Sequence, residues 1–322
     1  MIHTGWTFEA IKRVHERPFF ELLSQAHAVH KENHDLCEVQ VCTLISIKTG
    51  GCSEDCKYCS QSARYQTGIQ ATPLMEYEEV LRRAKIAIAR GASRICLGAA
   101  WRQLRENSQF NEILKMVSGI CALGAEVCCT LGMLTFEQIE KLKEAGLYAY
   151  NHNLDSSENF YKTIITTRSY QERLATLDLV EKAGVSVCCG AILGMGEEID
   201  DRLEFLHTLS LRTPHPESVP LNKLTAVPGT PLENQPKLAI WEHLRMIATT
   251  RIVLPKATIR LSAGRDTMTK EQHALAFFAG ANSIHGGGIH LTAVVPTATV
   301  DFDDEMFTLF QLKKRPAYAY TA

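Results

Sequence analysis

A (β/α)8 barrel of the TIM type, within the α/β class, is the fold this sequence predicts, and three observations predict it. A phrase recurs in which a helical stretch ends in a small residue and Gly and an apolar strand follows, as where Ala89-Arg90-Gly91 precedes Ser93-Arg94-Ile95-Cys96-Leu97. Gly just past a helix end takes the left-handed conformation that stops the helix, so each phrase reads as helix, stop, strand. Eight strand-like runs can be placed, separated by helix-length segments. The chain has 322 residues and no low-complexity linker, which suits one closed barrel. A doubly wound open sheet uses the same units and is the competing architecture.

The elements follow in order. Residues 1–37 read as an N-terminal helical extension that caps the barrel, and 38–285 as the barrel itself. Its strands are expected over 39–47, 93–97, 126–130, 147–150, 185–189, 218–224, 257–262 and 281–284. The third, fourth, fifth and eighth follow Gly124, Gly146, Gly184 and Gly280. Residues 286–322 read as a loop-rich C-terminal tail.

Composition narrows the function classes. A hydrophobic content of 45% with 22% charged residues marks a folded chain, and a net charge of -2 offers no electrostatic case for nucleic acid or an anionic membrane. The first twenty residues carry Glu9, Lys12, Arg13, Glu16 and Arg17 without an apolar run, so no signal peptide and no membrane span are expected. Eleven cysteines, several inside apolar runs, do not resemble a disulfide framework. A reducing, cytoplasmic setting is the expectation.

Chemistry is concentrated in Gly51-Cys52-Ser53-Glu54-Asp55-Cys56-Lys57-Tyr58-Cys59. Cys-x3-Cys-x2-Cys supplies three thiolates where a closed structural metal site needs four. Iron-sulfur clusters are held by thiolates at such spacings, and three ligands leave one iron open. A zinc knuckle or three unrelated buried cysteines are the plainer alternatives. The three-plus-open pattern, with an aromatic just before the last cysteine, resembles that with which radical S-adenosylmethionine (SAM) enzymes bind a [4Fe-4S] cluster and chelate SAM at its open iron.

Strand alternation tests the other cysteines, since one parity of each strand faces the barrel interior. Ile95 and Leu97 share the helix-facing parity, which turns Arg94 and Cys96 inward. Val127 takes Cys129 outward and leaves Cys128 inside; Val185, Val187 and Cys189 face the helices, so Cys188 faces in. Ile259 and Leu261 face out, leaving Arg260 inside with Thr258 and Ser262. On the first strand Cys42 turns inward with Gln40 and Leu44, either near these thiols or as plain packing. A buried Arg needs an anionic partner or hydrogen bonds. A thiolate-bound cluster is such an anion; a salt-bridged core is the alternative. Cys37, Cys121, Cys129 and Cys189 read as structural.

Over roughly residues 35–284 the sequence resembles the biotin synthase family. The resemblance is carried by Ser46-Ile-Lys-Thr-Gly50, the Cys52 motif, Gly98-Ala-Ala-Trp101, Tyr150-Asn-His-Asn-Leu-Asp155, Ile164-Ile-Thr-Thr-Arg168, Tyr170-Gln-Glu-Arg173, Glu217-Ser-Val-Pro220, Arg260-Leu-Ser-Ala-Gly-Arg265 and Gly280-Ala-Asn-Ser-Ile284. It implies that Cys52, Cys56 and Cys59 hold the [4Fe-4S] cluster, and that Cys96, Cys128, Cys188 and Arg260 hold a [2Fe-2S] cluster. It also implies a SAM site at the barrel mouth: Ala100 and its neighbours toward the amine, Arg173 toward the carboxylate, Asn153 and Asp155 toward the ribose, Tyr58 and Ile192 toward the adenine. Bidentate pairing makes Arg a sensible carboxylate partner. Gly194-Met195-Gly196 by itself is a weak phosphate-loop signal that lacks the third glycine of a dinucleotide fingerprint, and that reading is rejected.

The activity implied is sulfur insertion into dethiobiotin. Reductive cleavage of SAM gives a radical that removes hydrogen from an unactivated carbon, and a sulfide of the [2Fe-2S] cluster quenches the carbon radical, twice over. Implied partners are a flavodoxin- or ferredoxin-like electron donor, iron-sulfur assembly machinery and a second copy of the chain as a homodimer. Asn151, Asn153 and Asn222 are expected near the ureido ring of the substrate, with strand-end capping as the alternative for Asn222. The tail departs from the family: Thr292 remains where the substrate carboxylate is held, but Ala293 stands where a second Thr is expected. His285 and His290 invite a metal, although on a Gly-rich loop they read as solvated. Two rival classes remain. Another radical SAM enzyme of this fold, such as a maturase, a methylornithine-type mutase or lipoyl synthase, shares the Cys52 motif; a non-catalytic iron-sulfur carrier needs no Arg173, Asn153 and Asp155 pocket.

Overall fold

A computed structural model describes residues 5–286 and 300–318. Within them ten strands are formed: β1 (Glu38–Lys48), β2 (Arg94–Ala99), β3 (Glu126–Thr130), β4 (Leu147–Asn151), β5 (Ser186–Cys188), β6 (Ala191–Leu193), β7 (Ser218–Lys223), β8 (Thr258–Leu261), β9 (Ser283–His285) and β10 (Lys313–Lys314). Each neighbour runs parallel, in the order β1-β2-β3-β4-β5-β7-β8-β9, and β9 pairs back onto β1 through Gln40 and Ser283, Val41 and Ile284, Cys42 and His285. That last pairing closes the barrel and excludes the open sheet. Helices fill the intervals between strands, as parallel pairing requires.

The fifth strand is broken in two. Gly190 separates β5 from β6, and a Cβ there would meet Pro220 O at 2.1 Å, so only glycine lets the chain pass β7 so closely. β5 pairs β4 and β7, whereas β6 pairs β7 alone, which opens the wall between β4 and β6. The segment 152–155 fills that opening, with Asp155 bridging Ala191.

Helix ends follow local chemistry. Thr135, Ser169 and Thr269 each cap the following helix with a side-chain oxygen and donate their own backbone N–H to the side chains of Gln138, Glu172 and Gln272, so orphan N–H groups are satisfied in pairs. The N-terminal helices Phe8–His15 and Phe19–Asn33 pack on the outer helices Ile199–Ser210 and Ile240–Val253, and His34 reaches Pro255 O at the strand-entry end of the barrel. The tail contains more regular structure than a loop-rich reading gives it. Helix Val300–Leu309 buries Met306 and Phe307, and β10 adds parallel to β1. Thr292, Ala293 and His290 lie outside the described residues.

Two apolar interiors result. The large core between strands and helices contains Ile95, Leu97, Val127, Cys129, Val187, Cys189, Ile259 and Leu261. Inside the barrel a separate small cluster contains Cys42, Cys96, Cys128, Ala149 and Cys188. The alternation read from sequence therefore holds on every strand it was applied to. All eleven cysteines are free. No helix among the described residues is long and apolar enough to cross a membrane.

Candidate active site

The loop after β1 carries the three spaced cysteines. Gly50 and Gly51 both take left-handed φ (70° and 71°), turning the chain sharply out of the barrel wall. Cys52 N donates to Gln61 O and Ala63 N to Cys52 O, pinning the loop as a bridge, while Cys59 N donates to Cys56 O. Acids between the cysteines anchor it. The Asp55 carboxylate accepts from Thr166 N and Thr167 N, and Glu54, almost fully buried, pairs with Arg102 at 2.7 Å and accepts from Thr167 Oγ1 at 2.8 Å. These contacts give a structural account of the Ile164–Arg168 motif, which braces the cysteine loop from the far side of the mouth.

One cavity of about 230 Å³ at the C-terminal end of the barrel receives both cysteine sets. Cys52, Cys56 and Cys59 line it from the loop, and Cys96, Cys128 and Arg260 line it from within the barrel. Tyr58, Ala100, Asn151, Asn153, Asp155, Arg173, Ile192 and Asn222 line it too. Of the other residues expected here, Cys188 lies immediately beneath, where Asn151 Nδ2 donates to its sulfur at 3.1 Å. Among the described residues no three Cys, His, Asp or Glu side chains converge as a single bound ion requires. The loop thiols line a shared hollow instead.

Burial governs the loop thiols. It pushes Cys52 upward, Cys56 up to about 11 despite the opposing charges of Arg173 and Arg168, and Cys59 further still. Burial thus favours the protonated thiol at all three positions, and a metal group bound there would displace those protons. The inner thiols differ because they hydrogen-bond one another. Cys128 hydrogen-bonds both Cys188 and Cys96, and its own thiol is pushed up; Cys188 is held below the ordinary range by that bond and then by the Arg260 guanidinium.

Arg260 is fully buried and multiply tethered. Its Nε donates to Ser283 Oγ at 3.0 Å, Nη2 to Gln40 Oε1 at 3.0 Å, and Nη1 reaches Cys188 Sγ at 3.6 Å. Below it, the Gln40 amide donates to Glu126 at 3.1 Å, and Arg94 spans Glu126 (2.7 Å) and Glu217 (3.0 Å). Arg315 and the Tyr318 amide of the tail also reach Glu126, at 2.8 and 2.9 Å. This floor of buried ion pairs was legible only as the inward parity of Gln40, Arg94 and Arg260; Glu126 and Glu217 at strand starts were the available signal.

The wall beside the β5–β6 break holds the remaining polar groups. β4 stops at Asn151, so Asn153 and Asp155 approach from the loop that follows it. Asn153 Oδ1 accepts from Gly190 N at 2.9 Å and from Asn151 Nδ2 at 3.0 Å. Asn222 bonds Ala191 O and Ala263 N at 3.0 and 3.1 Å, tying β7 to β6 and to the segment that follows β8 while facing the cavity. Arg173 is buried, donates from Nε to Tyr161 at 2.9 Å, and pairs with Asp155 at 2.8 Å. Ala100 N donates to Lys48 O at 3.0 Å, and Ile192 N to Asp155 O at 2.9 Å. The Gly194 and Met195 amides are occupied by Glu197 at 2.8 and 2.7 Å, which removes them as a phosphate cradle.

Two cavity residues were missed or misplaced from sequence. Arg168 is buried at the mouth, 3.8 Å from Glu54. His285 ends β9 opposite Cys42 and lines the cavity, so it is a strand residue and not part of a solvated loop.

Comparison with known proteins adds lineage to this geometry. The Radical SAM superfamily model matches residues 46–209, and the Biotin and Thiamin Synthesis associated domain matches 220–311. Biotin synthase of Chlamydia abortus is 56% identical over 314 residues, 98% of this chain and 94% of that protein. The biotin synthases of Nostoc punctiforme and Cytophaga hutchinsonii are 54% and 53% identical over 98% of this chain and 95% and 94% of theirs. In fold the chain is similar to methylornithine synthase (TM-score 0.78, 19% identity, 96% of this chain and 94% of that one). It is also similar to an FeFe-hydrogenase maturase from Carboxydothermus hydrogenoformans (TM-score 0.81, 15% identity, 98% and 77%). Barrel, cysteine loop and full-length similarity agree: the chain is a radical SAM enzyme and belongs to the biotin synthase family.

Proposed function

We propose that this enzyme converts dethiobiotin to biotin, with Cys52, Cys56 and Cys59 holding a [4Fe-4S] cluster and Cys96, Cys128, Cys188 and Arg260 a [2Fe-2S] cluster. One observation carries the reading: the loop thiols and the inner thiols open on the same cavity, with buried Arg173 and a row of amides between them. The residues present fit both groups, since each set offers three thiols, and the inner set lies against a buried guanidinium that suits an anionic cluster. When bound, the four-iron cluster with SAM supplies hydrogen abstraction from an unactivated carbon, and the two-iron cluster supplies sulfur.

The protein's share is binding, orientation and exclusion of water. Arg173 would hold the SAM carboxylate, and the Ala100 segment would receive the amine. Asn153 and Asp155 hold the ribose, while Tyr58 and Ile192 bound the adenine. Asn151, Asn153 and Asn222 face the ureido ring of dethiobiotin, where each amide presents a donor and an acceptor to a neutral urea. Asn151 also hydrogen-bonds Cys188, which ties the substrate side of the cavity to the inner thiols. Thr292 contributes to the substrate carboxylate, with Ala293 beside it supplying no hydroxyl.

A flavodoxin- or ferredoxin-like donor delivers electrons, iron-sulfur assembly machinery rebuilds the consumed cluster, and the enzyme acts in the cytoplasm as a homodimer. The test is anaerobic reconstitution with dethiobiotin, SAM and reductant, followed by mass spectrometry. Biotin is expected. SAM cleavage without biotin would assign the cavity to another substrate.

A further inference from the structure

Binding a ureido ring uses up the amides of the cavity. Asn153 Oδ1 already accepts from Gly190 N and Asn151 Nδ2, and Asn222 gives one N–H to Ala191 O and one lone pair to Ala263 N. Asn151 Oδ1 accepts from Thr130 Oγ1 at 3.2 Å, while its own N–H groups go to Asn153 and Cys188. What remains is the Asn153 amide nitrogen, the second N–H of Asn222, and a lone pair on each of Asn151 and Asn222. Those groups match the oxygen and paired N–H groups of a cyclic urea. They leave these amides nothing for a carboxylate at the far end of the same molecule.

The arginines that line the cavity, among the described residues, are committed as well. Arg173 pairs with Asp155, Arg168 lies 3.8 Å from Glu54, and Arg260 is tethered to Ser283 and Gln40. Lys223 shares the helix-facing parity of Val219 and Leu221, and its Nζ donates to Thr267 Oγ1 at 3.2 Å. In the tail, Ala293 supplies no hydroxyl.

The opposite wall provides donors. β4 and β9 are the fourth and eighth strands of the closed ring, so His285 at the end of β9 faces Asn151 at the end of β4 across the mouth. β8 pairs β9 through Arg260 with Ser283 and Leu261 with Ile284. One residue further, the same register sets Ser262 beside His285, both on the inward parity and both lining the cavity. Ser262 is only 6% exposed, and its Oγ has no hydrogen-bond partner among the described residues. A buried hydroxyl left unsatisfied costs free energy that a ligand acceptor recovers. Arg265 holds the two residues in place: its backbone N donates to Ser262 O at 3.2 Å and its Nη1 to His285 O at 2.9 Å, while Asp303 anchors the guanidinium. An imidazole carries an N–H in either neutral tautomer, so His285 can donate without becoming charged.

Resting on the dethiobiotin reading above, we propose that Ser262 and His285 form the subsite for the substrate carboxylate in this chain, each donating one hydrogen bond to it.

The test is equilibrium dialysis of dethiobiotin, and of dethiobiotinol in which an alcohol replaces the carboxylate, against full-length reconstituted protein with SAM and no reductant, so that nothing turns over. The parent is compared with Ser262→Ala, His285→Phe, His285→Gln and Lys223→Met. Ser262→Ala and His285→Phe should each weaken dethiobiotin about 10- to 100-fold, the span of one lost hydrogen bond to a charged group, and change dethiobiotinol by less than about 3-fold. His285→Gln keeps a donor and should stay within about 5-fold of the parent. Uptake of the four-iron cluster by every variant reports that the barrel has folded. Equal weakening of both ligands would place Ser262 and His285 against the ring, and a selective loss in Lys223→Met alone would give the carboxylate to that lysine; either result overturns the subsite. If the parent binds dethiobiotin and the Ser262 and His285 variants bind it equally well, the subsite alone fails. If the parent binds neither ligand, the dethiobiotin reading fails and the subsite with it.

Discussion

Arg173 Nη2 lies 2.8 Å from Asp155 Oδ2, and the Tyr58 hydroxyl donates to the same oxygen at 2.7 Å. Three residues assigned to different parts of one ligand are therefore tied to each other. Both charges are buried, and Asp155 has a φ of 68°, unusual for a residue with a side chain. It is held there by its bridge to Ala191 across the strand break. A ligand carboxylate that takes Arg173 must compete with Asp155, so binding exchanges one ion pair for another.

Removing one partner exposes the cost of that pair. Asp155→Ala leaves the Arg173 charge with only Tyr161 and the Asn153 carbonyl as hydrogen-bond partners, and should lower stability by about 3–5 kcal/mol. Tyr58→Phe removes one hydrogen bond to a charged group and should cost about 1.5–3 kcal/mol. Urea denaturation of the metal-free protein measures both. An Asp155→Ala midpoint equal to that of the parent would show that the pair contributes nothing to folding.

The two thiol sets should be separable. Anaerobically reconstituted Cys56→Ala is expected to lose the four-iron signal and keep the two-iron signal, and Cys188→Ala to do the reverse. Cys129→Ala and Cys189→Ala face the helices and should keep both, at a stability cost of about 1–2 kcal/mol for a small core deletion. Iron analysis with electron paramagnetic resonance decides the point. Loss of one common signal in both Cys56→Ala and Cys188→Ala would leave a single cluster shared between the sets.

Acid should destabilise the metal-free chain well above the carboxylate range. Burial holds His15, His243 and His273 down to about 4 and His30 to about 3, with arginine charges pressing the same way on His15, His30 and His273. Each is neutral when folded and binds a proton at pH about 6.5 when unfolded. The unfolded chain thus carries more protons between pH about 6.5 and 4, so stability rises with pH across that window and is lost as pH falls through it. Urea midpoints should drop between pH 7.5 and pH 5, with net proton uptake on unfolding at pH 5. A flat profile would mean these histidines are not buried as neutral rings.

The barrel floor makes a further demand on stability. Glu126 is fully buried and accepts from Arg94, Gln40, Arg315 and the Tyr318 amide. Arg315→Ala removes one of these bonds and should cost about 1.5–3 kcal/mol. Glu126→Ala leaves Arg94 with Glu217 alone and should cost more, about 3–5 kcal/mol. Thermal unfolding of the two variants should rank them in that order.

Much of this was readable in residues alone. The recurring helix-Gly-strand phrase located five of the eight barrel strands and apolar runs the other three, because left-handed Gly stops and alternating apolar strands are local effects. The same alternation placed Cys42, Cys96, Cys128, Cys188 and Arg260 inside, since side chains on a strand can only alternate. The spacing of Cys52, Cys56 and Cys59 marked the metal loop for a similarly local reason.

Pairings across the barrel had no local signature. Nothing near Asp155 in sequence announces that Arg173 and Tyr58 converge on it, or that Asn153 and Asp155 arrive on a loop because the fifth strand breaks at Gly190. The tail helix and β10 were missed because their partners, β1 and Glu126, lie far back in the chain. The sequence by itself determined which side chains face inward and which cysteines share a loop. Only barrel closure, β9 onto β1, decided that Cys42 and Arg260 meet at Ser283 and that both thiol sets open on one cavity, because distances between strands exist only once the sheet has closed.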